Sequence, residues 1–100
     1  MIKNLDGYIR LAQAGTCVSV DMILADINKD MSIALSKIID YSLSFVQSDE
    51  GVERMSYYLF HGTQIQRNYC TLYFNRRGDW RLVRQAFEQG LIDEIQAFSR

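Results

Sequence analysis

Arg54, Arg67, Arg76, Arg77, Arg81 and Arg84 share one stretch of this chain with a single carboxylate, Asp79. Between them stand Tyr57, Tyr58, Phe60, Tyr69, Tyr73, Phe74 and Trp80. A guanidinium is a rigid fork of donors suited to carboxylate or phosphate. Aromatic rings beside such forks can bury against a peptide or stack on bases. The block therefore predicts a surface that meets an anionic or peptide partner. Its flanks are acidic: residues 1–53 carry four basic and eight acidic side chains, and residues 85–100 carry one and three. The resulting run of −4, +5 and −2 underlies the formal net charge of −1.

The arginines of interest surround Gly78 and Asp79. Four-residue spacing places Arg77, Arg81 and, loosely, Arg84 on one side of a helix. With Arg76 and Arg67 they form the expected partner-binding set. A plainer use is available to the same residues. Arg76 and Arg77 fall where cations meet a helix C-terminal dipole, and Glu88, Asp93 and Glu94 are at hand as counter-ions. Tyr69, Tyr73, Trp80 and Phe87 recur at helical spacing and are expected in the core.

Other reactive side chains form weaker constellations. His61 is the single histidine, so a histidine metal site or a serine–histidine relay would depend on it alone. His61-Gly62-Thr63 resembles a short motif of ADP-ribosyltransferases, but too little chain follows for that fold. A histidine ending a helix before a C′ glycine is the reading preferred. Asp26-x-Asn28-x-Asp30 has the first three ligand positions of a calcium-binding EF-hand, yet Met31 and Lys37 occupy the required glycine and glutamate positions. Arg77-Gly78-Asp79 reads as a helix end, a turn and the cap of the next helix. Asp49-Glu50 and Asp93-Glu94 are neighbours that face apart on a helix. Cys17 and Cys70 lack a partner motif and read as buried free thiols. No catalytic, cofactor-binding or metal-binding set is expected, and no cofactor.

The elements that must position these residues read as helices. One hundred residues with 48% apolar and 23% charged side chains make one globular domain, residues 1–100. Proline is absent, which removes the strongest helix breaker. Leu5, Tyr8, Ile9 and Ala12 recur at helical period, with Gly15 as terminator. Ser19 is the expected cap of a second helix carrying Val20, Ile23, Leu24 and Ile27. Asp30 is the expected cap of the longest, with Met31, Ala34, Leu35, Ile38, Ile39, Phe45 and Val46 on its face. Gln47 to Gly51 reads as a loop, and Ser48 or Asp49 caps the helix bearing Val52, Met55, Ser56 and Leu59. Thr63 opens a helix closed by Gly78. Asp79 caps Trp80, Val83, Ala86 and Phe87, closed by Gly90. Ile92, Ile95 and Phe98 mark a last short helix.

The fold class expected is all-α, a compact bundle of five to seven short helices with helical hairpins. The alternative is α+β, with a small strand hairpin around 56–60 and 68–74, because Asn68 to Phe74 is rich in aromatic and β-branched residues. The apolar runs are too short to span a membrane. Met1 to Asp6 lacks the apolar core of a signal peptide, which with the cysteine usage predicts a cytoplasmic protein.

Phe74-x3-Gly78-Asp79-Trp80-x2-Val83-x3-Phe87-x2-Gly90 resembles one tetratricopeptide-type helical hairpin, about residues 64–97. Cys70 and Thr71 match the apolar and small positions of its first helix. Arg67, Val83 and Ile95 depart from the family pattern, and no second copy follows at the family's repeat length. The resemblance implies a scaffold that receives a partner's peptide or helix in a groove.

Three functions follow in order. The first is a non-enzymatic protein–protein interaction module, an adaptor, chaperone or regulator, offering its basic rim to an acidic protein partner or associating with itself. The second is a nucleic-acid-binding protein using the 54–84 block. The third is a small enzyme centred on His61.

Overall fold

The computed structural model describes residues 4–98. Every regular element among them is helical: α1 (Leu5–Ala14), α2 (Cys17–Ala25), α3 (Ile33–Leu43), α4 (Asp49–His61), α5 (Gln64–Arg77), α6 (Trp80–Glu88) and α7 (Glu94–Ala97). No described helix is long and apolar enough to cross a membrane. The helices fall into two units, Met1–Met55 and Ser56–Arg100, divided within α4.

In the first unit α1 packs on both α2 and α3. Its core includes Tyr8, Ala12, Val20, Ile23, Leu24, Ile27, Ile39, Leu43 and Val46. Asn4 opens α1 by accepting the Gly7 N–H at 2.9 Å. Gly15, at φ +62°, ends it in the left-handed region, and its N–H donates to Leu11 O at 3.2 Å. Thr16, not Ser19, then caps α2. Thr16 Oγ1 accepts from Ser19 N at 3.0 Å, and Ser19 Oγ accepts from Thr16 N at 2.9 Å, the reciprocal arrangement of a capping box. Because Gly15 turns the chain within one residue, α2 starts earlier than its apolar period suggests.

Ser32, not Asp30, caps α3, accepting from Leu35 N at 3.0 Å. Asp30 sits two residues upstream in a turn, where Asn28 Oδ1 accepts its N–H at 2.8 Å. Asp26 is held elsewhere, accepting from the Tyr8 hydroxyl at 2.7 Å. Burial, this hydrogen bond and the Asp26 charge push the Tyr8 phenol up to about 12.

The loop before α4 is shorter than the polar run 47–51 implies, for Gly51 lies inside the first helical turn. Ser48 Oγ accepts from Gly51 N at 3.0 Å and donates to Gly15 O at 2.7 Å. A Cβ on Gly51 would lie 2.7 Å from Val46 Cγ1 and 3.0 Å from Gly15 O. Close approach of two chain segments, not a turn, is what requires glycine there. Cys17 N donates to Glu50 Oε2 at 2.6 Å, and Arg54 reaches Asp21 through Nε at 2.7 Å and Nη2 at 3.1 Å.

In the second unit α5 packs on α6 and α7, and α6 packs on α7. Thr63 and Gln66 form a second capping box at the start of α5. Segments 56–60 and 68–74 lie within α4 and α5, so the strand-hairpin alternative is overturned. The reason is visible in the burial pattern. Cys70, Thr71, Tyr73 and Phe74 are inside together, as two adjacent pairs one helical turn apart, whereas a strand would alternate. The Thr71 hydroxyl is satisfied within the helix, donating to Arg67 O at 2.8 Å. Val83, Ala86, Ile92 and Ala97 complete the buried set. Of the four aromatics expected in the core only Tyr73 is buried: Tyr69 and Phe87 are half-buried and Trp80 is 48% exposed, while Ile95 on the last helix is 79% exposed. Trp80 opens α6, before the helix reaches the core, and α7 spans only Glu94–Ala97, too short to cover both faces.

Candidate functional site

Gly78 sets the geometry of the arginine rim. At φ +81° it adopts the left-handed conformation, and its N–H donates to Asn75 O at 3.1 Å. Asp79 N donates to Phe74 O at 2.9 Å, which completes a Schellman closure of α5. The chain reverses at once into α6, so Arg76 and Arg77 end one helix while Arg81 and Arg84 sit on the next.

Asp79 occupies the N-cap position of α6 but makes no side-chain cap bond. Its Oδ2 accepts from Arg77 Nε at 2.9 Å instead. That bond is the main cause that raises the Arg77 pKa, and the guanidinium carbon also lies 5.6 Å from the Tyr73 ring centre. Burial raises the Tyr73 phenol, and the Arg77 charge opposes it. Arg77 is thus engaged within its own turn.

Arg67 is also engaged. Its Nε donates to Leu91 O at 2.7 Å, Nη1 to Gly62 O at 2.8 Å and Nη2 to Gln64 Oε1 at 2.7 Å. The fork joins α5 to the chain before it and to the loop after α6, a structural clamp and not part of an outward rim. Arg54, in the first unit, is bound to Asp21.

Arg81 and Arg84 differ from these three. Both are exposed on α6, and neither makes a hydrogen bond or ion pair among the described residues. The pairing expected from Glu88, Asp93 and Glu94 does not form with them among those residues; Asp93 caps α7, accepting from Gln96 N at 2.8 Å. Trp80 lies one helical turn from Arg84, its ring half in solvent and its Nε1–H directed at Asn75 O, 3.4 Å away. Asn75 Nδ2 in turn donates to Gln96 O at 3.3 Å, which ties the end of α5 to α7 beneath the tryptophan.

The remaining reactive groups are dispersed. His61 ends α4, exposed, its ring 4.8 Å from that of Tyr57. Gly62 follows without the left-handed φ expected of a C′ glycine. A Cβ there would lie 2.7 Å from Tyr58 O, so crowding is the reason for glycine. Cys70 is fully buried, and burial pushes its thiol far above the usual range. Cys17 is half-buried and free. Among the described residues no three His, Cys, Asp or Glu side chains gather as metal ligands.

Sequence reasoning missed the clamp role of Arg67 and the Arg54–Asp21 pair. Nothing in local spacing signals the Arg54–Asp21 pair, 33 residues apart, or the Arg67 bond to Leu91 O, 24 residues apart. The chain matches no protein-family model, and comparison with curated proteins and with solved structures finds no match.

Proposed function

We propose that this chain is a non-enzymatic protein–protein interaction module of the cytoplasm, an adaptor, chaperone or regulator, that receives an acidic partner on α6. The observation that carries the reading is the pair Arg81 and Arg84, exposed on one helix without a counter-ion among the described residues. An isolated surface charge costs little, but two adjacent ones beside a half-exposed tryptophan match the make-up of interface anchors. Arginine and tryptophan are over-represented among residues that dominate binding energy. The α5–α6 hairpin, with Gly78 and Asp79 at its turn, also supports the resemblance to a tetratricopeptide-type unit. In this reading Arg76 borders the surface, Arg77 shapes the turn and Arg67 holds the hairpin in place.

The test is Arg81→Glu combined with Arg84→Glu, with the helical circular-dichroism signal checked first. Proteins captured from the native host should be lost or weakened by about tenfold or more. An unchanged set of captured proteins on a folded variant refutes the reading. Capture of nucleic acid, with affinity that falls steeply as salt rises, would favour the alternative partner class.

A further inference from the structure

A second exposed stripe carries charge opposite to that of Arg81 and Arg84. Asp49 and Glu53 lie four residues apart on α4, so they share one face of that helix. Both are exposed, and neither makes a hydrogen bond or ion pair among the described residues. Glu50, between them, is turned away to accept from Cys17 N. The α6 face offers the opposite charge at Arg81 and Arg84, with Trp80 one turn before Arg84 and Glu88 one turn after it.

The spacings fit. At about 1.5 Å rise per residue, the carboxylates are roughly 6 Å apart along α4 and the guanidiniums roughly 4.5 Å apart along α6. Long arginine side chains absorb that difference, so two helices laid side by side bring each carboxylate to a guanidinium. Both faces are preformed, so docking orders little beyond side chains.

We propose that the α4 stripe of one copy docks on the α6 face of a second copy. The proposal rests on reading α6 as a partner surface and names its occupant as this chain's own acidic helix. A second copy is favoured over a foreign protein because two exposed pairs of opposite charge, Asp49 with Glu53 and Arg81 with Arg84, occur on helices of the same polypeptide. The two surfaces differ, so each copy carries both halves of the contact. Two helix stripes fall short of the roughly 800 Å² per partner of a standard stable interface. Association is therefore weak, reversible and dependent on charge.

Sedimentation velocity over a concentration series tests this with the full chain. At about 0.1 M salt the average mass should rise with concentration. At about 1 M, where the screening length drops from about 10 Å to about 3 Å, association should weaken by about tenfold or more. Arg81→Glu with Arg84→Glu, and separately Asp49→Lys with Glu53→Lys, should each remain monomeric. Mixed in equal amounts they should associate again, because each then offers the charge the other lacks. Should a reversal disturb the fold, Arg81→Gln with Arg84→Gln and Asp49→Asn with Glu53→Gln replace them, each expected to weaken association. A chain that stays monomeric to about 1 mM at low salt overturns the proposal. So does association that both variants leave intact, or a mixture that stays monomeric. A monomeric chain that still captures an acidic host protein through Arg81 and Arg84 would overturn self-association alone and leave the partner reading standing.

Discussion

Arg77 Nε lies 2.9 Å from Asp79 Oδ2, across the left-handed Gly78, so the carboxylate placed to cap α6 holds the arginine that ends α5. One bond thereby removes an arginine from the outward rim and a cap from the following helix. What α6 presents to solvent is Trp80, Arg81, Arg84, Gln85 and Glu88.

Asp79→Ala should cost less than an ordinary N-cap deletion. The ion pair it removes is more than a third exposed at both ends and contributes under about 1 kcal/mol after solvent screening. Thr63→Ala, which breaks a two-way capping box, should cost about 1 kcal/mol or more. Urea denaturation of the two variants side by side checks the order, and a larger loss for Asp79→Ala would contradict the bonding described at the turn.

Arg67→Met should destabilise the chain by about 2 kcal/mol, since it strips charged donors from two backbone carbonyls and a side-chain amide. Arg67→Lys should recover little of this. An ammonium cannot reach three acceptors that lie around a planar fork. Full recovery by lysine in a thermal or urea melt would show that charge alone matters at this position.

Gly51→Ala distinguishes a loop glycine from a contact glycine. In an open helical site the change would stabilise by about 0.5–1 kcal/mol through helix propensity. Here the new methyl meets Val46 and the Gly15 carbonyl, so a loss of about 1–3 kcal/mol is expected. A melting temperature that rises would rule out the close approach of these segments.

Alkaline pH should weaken the fold, and Cys70 should be a main cause. Burial raises its thiol pKa above the unfolded value of about 8.5, so the folded chain keeps a proton that the unfolded chain releases. Stability from this group is complete below about pH 8.5 and declines as pH rises beyond it. Tyr8, raised to about 12, adds a further decline above about pH 10. Cys70→Ala should flatten the fall in stability between about pH 8.5 and 10. An identical slope in wild type and variant would exclude the thiol as its source.

Helix content and most helix ends were legible in the order of residues. Gly15, Thr63, Gly78 and Gly90 act over one turn of chain, through left-handed φ or a hydroxyl bonded to a nearby N–H, and such short-range geometry leaves a mark in the sequence. Where two local candidates compete, as Ser19 with Thr16 or Asp30 with Ser32, the mark is ambiguous by a few residues. Turn geometry then decides which side-chain oxygen faces the helix.

The candidate site was legible only as a set of arginines. All of them look alike in sequence, because charge and spacing do not say which acceptors converge on each one. Folding brings Asp21 to Arg54 and Leu91 to Arg67, whereas Asp79, two residues from Arg77, is a local partner set by the turn at Gly78. By itself the sequence determined an all-helical chain with its positive charge gathered near one turn. Tertiary structure alone decided that Arg81 and Arg84 face solvent without a counter-ion among the described residues. The physical reason is range: helix signals act through neighbours along the chain, whereas pairing of charges depends on groups that only the folded chain brings together.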